Sequence, residues 1–404
     1  MRIDLISEHA SPLAMIGGAD SGGQNVHVAQ LARTLGERGH HVTVYTRRDG
    51  RELPDRVRAG PGVTVEHVPA GPADVLPKDA LLPYMAEFGD HLAQRWLVEP
   101  PDVAHAHFWM SGLAAQRGAR GTGIPVLQTF HALGTVKRRH QGDSDPSPQS
   151  RLRLEAKVGR DAALVVATCS DELTELAAMG VPAQQTAVVP CGVDLGRFTP
   201  NGPRASRNGS YRILSLGRLV ERKGVETTIR ALREVPGAEL VIAGGGDAIA
   251  DAELARLTAV AHACGVHERV HLAGQIARED VPALLRSADV VVSVPWYEPF
   301  GMVPLEAMAC GVPVVASAVG GHLDTVLDGR TGALVPPRDS AALAQRLREL
   351  LADPARLAAI GSAAAIRARS RYGWDRIAAE MELVYRRVLA GTEVATATVP
   401  GGRS

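Results

Sequence analysis

The sequence predicts an α/β protein with two Rossmann-like halves, each containing a parallel sheet. Strand-like and helix-like segments alternate along the chain, as they do in parallel α/β folds. A stretch rich in Gly, Pro, Asn and Ser, residues 199–210, interrupts this alternation, which then restarts. At 404 residues the chain also exceeds the size at which single cores usually divide. We therefore expect two domains, at residues 1–200 and 211–372.

Apolar runs and helical spacing predict the elements of each half. The first helix is predicted from Val28, Leu31, Ala32 and Leu35, which lie on one face. The strand candidates of the first half are residues 3–7, 41–46, 103–107, 125–129 and 163–168. Those of the second half are residues 212–216, 239–243, 270–273, 290–294, 312–316 and 333–335. A helix at 341–351 ends before Pro354.

The composition excludes several classes of function. Lys+Arg and Asp+Glu both number 44, so there is no electrostatic basis for nucleic-acid binding. No apolar run is long enough to span a membrane, and the first residues alternate like a strand and lack a signal-peptide core. The four cysteines are dispersed without a C-x-x-C pair, which suggests neither a disulfide framework nor a zinc site. We expect a cytoplasmic protein.

Two glutamates lie eight residues apart, after the strand candidate at 290–294. Pro299 and Pro304 separate Glu298 from Glu306, so one continuous helix cannot carry both. The pattern predicts a strand, a loop with Glu298, and a helix with Glu306 near its start. Ligands of such folds bind at the carboxyl ends of strands, where carboxylates can accept hydrogen bonds from hydroxyl groups. A solvated surface loop is the alternative for either glutamate alone.

A Gly-rich segment between the first strand and the first helix is a candidate anion site. It contains Asp20, Gly22, Gly23, Gln24 and Asn25. Glycines let the backbone approach a ligand closely, and N–H groups at a helix start favour anions. The segment has neither the Lys-[Ser/Thr] pair of a P-loop nor G-x-G-x-x-G spacing. A tight turn between strand and helix is the alternative.

Three further positions carry candidate chemistry. Arg218 and Lys223 follow the first strand of the second half, where two cations suit a diphosphate, although a solvated basic loop is the alternative. His131 ends a strand of the first half, at the edge where a cleft between the halves would hold a ligand, although a lone histidine is more often structural.

Asp143 and Asp145 match a D-x-D metal motif, but we interpret their polar loop as a solvated turn. The basic run 137–140 is interpreted as a solvated face.

Taken together, these motifs resemble the retaining glycosyltransferases of family 4, which have the GT-B fold. Residues 294–313 resemble the E-x7-E signature of that family, and residues 217–224 resemble its G-R…K-G motif. The resemblance covers roughly residues 1–390. It implies two Rossmann-like domains facing a cleft, and a final helix, residues 373–390, that crosses back to the first domain. The small, polar residues 391–404 are expected to be disordered.

The resemblance also implies a reaction and a donor site. A hexosyl unit would move from a nucleotide sugar, UDP by default, to a small hydroxylated acceptor. Catalytic roles would fall to His131, Arg218, Lys223 and Glu298, with Glu298 addressing the donor sugar and Glu306 the ribose. The remaining donor contacts would be Gly22, Gly23, Phe300, Gly301, Met302 and Val303. No metal or other cofactor is implied.

The acceptor side resembles a narrower branch, which contains the sucrose-phosphate synthases and the enzyme that begins mycothiol synthesis on inositol phosphate. The implied acceptor residues are His9, Asp20, Gln24, Asn25, Lys78, His131 and Arg151. Two positions depart from the inositol-phosphate pattern, because Phe108 stands where Tyr is expected and Ala132 where Thr is expected. The acceptor therefore stays open among inositol phosphate, a hexose phosphate and a neutral aminocyclitol or sugar. The oligomeric state, a homodimer included, is open as well.

Other functional classes compete with this interpretation. A GT-B phosphorylase or a nucleotide-sugar epimerase would use the same fold, but a phosphorylase would need a pocket for inorganic phosphate. A non-catalytic two-lobed sugar-binding protein is typically exported, and the sequence shows no signal peptide. An NAD-dependent dehydrogenase is excluded by the missing G-x-G-x-x-G fingerprint.

Overall fold

The computed structural model of the protein describes residues 1–13, 22–207, 211–246 and 248–397, without the side chains of 248–249 and 392–397. The chain divides into two compact units. The first contains the described residues up to Pro190, together with the segment that begins at Asp375. The second runs from Cys191 to Trp374. Residues just after Pro190 belong to the second unit because Cys191 and Phe198 are buried in its core.

The first unit has an eight-stranded sheet in the order β3-β4-β2-β1-β5-β6-β7-β8. Its strands are parallel except for the antiparallel pair β3–β4. The strands are β1 Arg2–Ile6, β2 His41–Arg47, β3 Arg56–Gly60, β4 Val63–Val68, β5 Val103–His107, β6 Val126–Thr129, β7 Leu164–Ala167 and β8 Thr186–Val188. The accompanying helices are α1 Gly23–Glu37, α2 Met85–Val98, α3 Trp109–Gly118, α4 Gly134–Gln141, α5 Arg151–Asp161 and α6 Ser170–Ala178.

The second unit has a six-stranded, entirely parallel sheet in the order β11-β10-β9-β12-β13-β14. The strands are β9 Tyr211–Leu216, β10 Ala238–Ala243, β11 Val270–Gly274, β12 Val290–Ser293, β13 Val314–Ser317 and β14 Ala333–Val335. The helices are α7 Val225–Leu232, α8 Ala248–Ala263, α9 Val281–Ser287, α10 Met302–Ala309, α11 His322–Thr325, α12 Ser340–Leu351 and α13 Pro354–Arg371.

A last helix, α14 Trp374–Ala397, returns the chain to the first unit. Its Tyr385 hydroxyl is hydrogen-bonded to His105 Nδ1 at 2.9 Å, and both side chains are fully buried. Its Glu382 accepts from Arg38 Nε at 2.6 Å and is paired with His40 Nε2 at 2.9 Å. The final helix was therefore predicted on the correct unit.

Two sequence-based predictions of the fold need qualification. The expected disordered tail begins at residue 391, but α14 continues to Ala397, because no Pro or Gly interrupts residues 392–397. The rest of that tail, residues 398–404, lies outside the described residues. Strands β3, β4 and β8 were not among the strand candidates. None of the helices in the described ranges is long and apolar enough to cross a membrane.

Candidate functional site

The second unit brings Lys223 and Glu298 together at the carboxyl edge of its sheet. Lys223 ends a short 3₁₀ turn after β9, and Glu298 lies in the loop between β12 and α10. Lys223 Nζ is 2.5 Å from Glu298 Oε2. The carboxylate side chain is only 13% exposed, so the pair is largely shielded from water. A cation and a carboxylate thus share one place at the edge where α/β folds bind ligands.

Glu298 is held in its ionised form. Burial acts to raise its pKa, but the positive charge of Lys223, the neighbouring His322 and the hydrogen bond from Lys223 together lower the pKa of Glu298 to about 2. The backbone around it is also constrained, because Gly321 N–H donates to Glu298 O at 3.1 Å. A Cβ at Gly320 would strike the same carbonyl oxygen. The loop therefore presents a fixed negative charge.

The start of α10 provides backbone N–H groups beside this pair. Gly301 is the residue before the helix, has φ 89°, and offers no side chain to cap it. Met302 and Val303 begin the helix, and Phe300 is buried in front of it. The four donor residues predicted at 300–303 thus form an uncapped helix start, which favours a negatively charged ligand group.

His322 is a site residue that sequence reasoning missed. It is fully buried, and its Nδ1 is hydrogen-bonded to Ser317 O at 3.0 Å. A Cβ on Gly301 would lie 2.6 Å from the His322 ring, so only glycine fits at that position. His322 also acts electrostatically on Glu298. The only sequence signal was its place after a Gly-Gly pair at the end of a strand.

The second predicted carboxylate, Glu306, has a partner that was not predicted. Glu306 lies within α10 and is 3% exposed. Arg278, in the loop after β11, places Nη2 2.6 Å from Glu306 Oε1. The Arg278 guanidinium also lies over the Phe198 ring, 5.0 Å from its centroid. Burial raises the pKa of Glu306 in spite of the charge of Arg278.

Arg218 is the remaining predicted donor residue of this unit. It follows β9, is exposed, and lies close enough to Lys223 to act on its charge. Lys223 is held by Glu298, and Arg218 is exposed beside it.

The Gly-rich loop of the first unit is only partly described. Asp20 lies outside the described residues. Gly22 N–H donates to Asn25 Oδ1 at 3.1 Å, and Gly23 begins α1. Asn25 is buried and also donates to Ser11 O, so its amide orders the loop. Gln24 Nε2 donates to Ser7 Oγ and to His107 O, both at 3.2 Å, and thereby ties the helix start to β1 and β5.

His131 follows β6 in a strained backbone conformation. Its φ is 60°, in the left-handed region that residues other than glycine seldom adopt. Phe108, which follows the neighbouring strand β5, has φ 82°. Such strain clusters at functional sites and costs of order 1–3 kcal/mol per residue. His131 Nε2 is 2.9 Å from His107 Nδ1, so the two rings support each other.

Phe108 also connects two predicted acceptor residues. The His9 ring meets its edge at a centroid distance of 4.9 Å, and the Arg151 guanidinium lies over its face at 5.2 Å. His9 Nδ1 is 2.8 Å from Glu8 Oε1. His9, Arg151 and His131 therefore gather where β1, β5 and β6 end.

Arg151 uses more of its hydrogen-bond donors within the protein than is expected of a ligand-binding cation. It is 2% exposed and pairs with Glu155, Nε to Oε1, at 2.7 Å. It also donates to Ser147 Oγ at 3.0 Å and to Ala132 O at 2.8 Å. Three of its five N–H groups are thus used within the protein. Lys78 begins a 3₁₀ turn elsewhere on this unit and is half-buried.

The prediction that the D-x-D motif lies in a solvated turn is wrong for Asp145. Its carboxylate is 4% exposed and 2.7 Å from Lys137 Nζ, and it also accepts from Ser147 N–H at 3.0 Å. Lys137 correspondingly does not belong to a solvated basic face. Asp143, in contrast, is exposed. The sequence could not reveal this, because the lysine partner comes from the preceding helix α4 and the ion pair depends on how the loop folds back.

Comparison with known proteins assigns the chain to a family. A D-inositol 3-phosphate glycosyltransferase from Xylanimonas cellulosilytica is 36% identical, over 95% of this chain and 96% of the relative. The family model "Glycosyltransferase Family 4" matches residues 21–197, and the model "Glycosyl transferases group 1" matches residues 202–367. The chain is a family 4 glycosyltransferase. This assignment favours the transferase among the alternatives that the sequence left open.

Solved structures place this glycosyltransferase in the GT-B fold. A sucrose-phosphate synthase from Thermosynechococcus elongatus is 33% identical, with a TM-score of 0.89 over 96% of this chain and 99% of the other. Anabaena HepE, solved with UDP-glucose, is 22% identical, with a TM-score of 0.74 over 96% and 100%. The second likeness bears on the fold alone. The predicted fold and family are both confirmed.

Proposed function

We propose that this glycosyltransferase moves a hexosyl unit, with retention, from a UDP-sugar to a small hydroxylated acceptor. The observation that carries the proposal is the Lys223–Glu298 pair beside the uncapped start of α10. Two relatives support the choice of substrates by name, since one acts on inositol 3-phosphate and the other makes sucrose phosphate. HepE, which shares the fold, was solved with UDP-glucose.

The donor would be held by charges of the second unit. The diphosphate would lie at the N–H groups of residues 300–303, with Lys223 and Arg218 as its cations. When the bond to the sugar breaks, negative charge grows on the departing diphosphate, and fixed positive groups stabilise it. No step needs a metal, so we propose that none is required.

The two carboxylates would have separate tasks. Glu306 is buried in α10 and would accept hydrogen bonds from the ribose, with Arg278 holding it in place. Glu298 is ionised and would face the donor sugar, where it stabilises the positive charge that develops on the ring. Because Glu298 lies in the loop just before Gly301, the proposed contact with the sugar is next to the proposed contacts with the diphosphate.

The acceptor would bind the first unit near His9, Gln24, His131 and Arg151. Its class stays open among a hexose phosphate, inositol phosphate and an aminocyclitol, because Phe108 and Ala132 contribute no hydroxyl groups to hold a phosphate. The dispersed cysteines favour a cytoplasmic location. Sedimentation analysis would decide whether the chain forms a homodimer.

A thermal-shift panel tests the proposal directly. UDP, GDP, ADP and dTDP are compared, each alone and with inositol phosphate, fructose 6-phosphate, glucose or an aminocyclitol. A ligand present at 100 times its Kd stabilises the folded state by about 2.7 kcal/mol, so binding raises the melting temperature. We expect UDP to give the largest shift and one acceptor to add to it.

Inorganic phosphate and uridine are the matched controls of this panel. Stabilisation by inorganic phosphate, with no response to any nucleotide, would favour a phosphorylase and contradict the proposal. Stabilisation by uridine as strong as that by UDP would remove the diphosphate role of Lys223 and Arg218.

A further inference from the structure

Three histidines of the first unit converge in a way that the proposed reaction does not require. His27 lies on α1, His107 ends β5, and His131 follows β6. One ring nitrogen of each lies within 4.8 Å of those of the other two. The closest measured approach is 2.9 Å, between His107 Nδ1 and His131 Nε2. The ring centroids of His27 lie 5.5 Å from His107 and 5.0 Å from His131.

The neighbouring His105 shows what an ordinary core histidine looks like in this unit. Its Nδ1 is bonded to the Tyr385 hydroxyl and its Nε2 to Thr129 Oγ1, at 2.9 and 2.8 Å. His107 differs, because its buried Nε2 has no hydrogen-bond partner within the described part of the chain. A buried polar atom without a partner costs about 1–3 kcal/mol, so packing alone does not account for this histidine.

The cluster is enclosed except at His131, since His27 and His107 are buried. His131 is partly exposed, which leaves one side of the cluster open to solvent.

We propose that His27, His107 and His131 form a binding site for a zinc-class transition metal ion. Three imidazole nitrogens with one open position are a ligand set for Zn²⁺, whereas Ca²⁺ and Mg²⁺ prefer oxygen. Zn–N bonds of about 2.0–2.1 Å place tetrahedral ligand nitrogens roughly 3.3–3.4 Å apart. The 4.8 Å limit on the nitrogen separations of this cluster is about 1.4 Å wider than that value, and the measured 2.9 Å is shorter. Because the cysteine pattern suggested no zinc site, the sequence alone gave no indication of it.

Occupation of this site inhibits the enzyme. A metal ion takes up a lone pair of His131 and fixes its ring, so His131 is withdrawn from the acceptor. This second step rests on the proposed function, in which His131 contacts the substrates. The ion is thus an inhibitor of transfer and not a cofactor, in keeping with a reaction that needs no metal.

Cobalt absorption tests the site without reference to activity. Co²⁺ is titrated into the metal-free full-length protein, and visible absorption reports tetrahedral coordination. Zn²⁺ should then displace Co²⁺ and abolish the bands. The deciding variant is His27→Phe, which keeps an aromatic ring in α1 but removes one ligand. Because loss of an outer-shell partner alone typically weakens metal binding 10–100-fold, loss of a ligand should weaken Zn²⁺ binding by at least about 100-fold.

His262→Gln is the matched control. His262 and His267 stack at 4.2 Å on the surface of the second unit and could bind Zn²⁺ adventitiously. We expect this control to bind Co²⁺ as the wild type does. Octahedral or absent Co²⁺ bands in the wild type overturn the site even if His27→Phe fails to fold. Loss of the bands in His262→Gln overturns it as well.

Activity assays separate the site from its consequence. Zn²⁺ should inhibit sugar transfer by the wild type and by His262→Gln, and His27→Phe should resist inhibition by at least about tenfold. Tetrahedral binding without inhibition would leave the site standing and overturn the inhibitory role of His131. The nucleotide shifts of the thermal panel do not depend on His131, so a failure of the donor assignment is detected independently.

Discussion

The candidate sites of the two units are formed by different kinds of side chain. In the second unit two ion pairs are prominent, Lys223 with Glu298 and Arg278 with Glu306. In the first unit the centre is a group of histidine rings that burial keeps neutral by lowering their pKa, and two residues there have strained backbones, Phe108 and His131. Charge suits a diphosphate that must be held and released, whereas neutral rings suit a polyol.

The two sites also differ in how they depend on the rest of the fold. The charged residues of the second unit come from short loops after β9, β11 and β12, and their positions follow from the strand order. The rings of the first unit are supported by distant segments, since His105 beneath them is bonded to Tyr385 of the last helix. We therefore expect substitutions in the second site to act on the reaction, and substitutions beneath the first to act on stability.

The largest effect should come from Glu298→Gln. Glutamine keeps the size of the side chain but removes the negative charge that would stabilise the sugar in the transition state. We expect kcat to fall by about 10²–10³-fold while the Kd for UDP changes little. Steady-state kinetics and calorimetry measure the two quantities. Glu306→Gln is the matched control and should weaken UDP binding more than it lowers kcat. Equal losses of kcat and UDP affinity in Glu298→Gln would make Glu298 a binding residue only.

Lys223→Ala should have the next largest effect. Hydrogen bonds to charged groups contribute about 1.5–3 kcal/mol, so the Kd for UDP should rise by roughly 10–100-fold. Lys157→Ala serves as a control, because Lys157 is exposed and pairs with Asp161 four residues later. Calorimetric titration with UDP measures both variants. An unchanged affinity in Lys223→Ala would contradict the charged donor site.

Glu382→Gln should affect stability and not the reaction. Hydrogen bonds from Arg38, and also from His40, lower the pKa of Glu382 to about 2 in spite of burial. In the unfolded chain a glutamate has a pKa near 4.3, so the folded state gains stability above that pH and loses it as the pH falls toward 2.

At pH 7 we expect Glu382→Gln to unfold with about 1.5–3 kcal/mol less free energy than the wild type. That difference should shrink steadily between pH 4.3 and 2, as measured by urea unfolding across the pH range. A difference that stays constant with pH would mean that Glu382 stabilises the first unit by packing alone.

The smallest effect should be that of EDTA. Because neither substrate site uses a metal for the reaction, we expect chelation of metal ions to lower transfer by less than about twofold, and any removal of an inhibitory ion from the histidine cluster would raise it. An assay with and without EDTA, followed by added Mg²⁺, provides the check. Full inhibition that Mg²⁺ reverses would favour a metal site at Asp143. It would also argue against Lys223 and Arg218 as the cations that hold the diphosphate.

The fold was largely predictable because its signals are local. Alternating apolar runs located β1, β5 and β14 to within a residue, and the resemblance to family 4 implied the last helix. The same approach missed β3, a short and mostly exposed edge strand, because its residues lack a buried run. Local pattern identifies an element only where burial imposes that pattern.

The site was predictable only where a motif lies in one stretch of sequence. Glu298, Gly301 and Glu306 belong to such a stretch. Arg278 and His322 do not. These contacts join residues from different loops, and a single sequence does not show which loops meet. The histidine cluster was missed for the same reason.

The return of the last helix has a consequence for synthesis on the ribosome. Domains usually fold in the order in which they are made, with the N-terminal one first. Here the second unit is one uninterrupted stretch, Cys191–Trp374, and can fold as soon as that stretch has emerged. The first unit must wait for Glu382 and Tyr385, which are translated after the whole of the second unit. The unit whose synthesis begins first is therefore the unit whose folding is completed last.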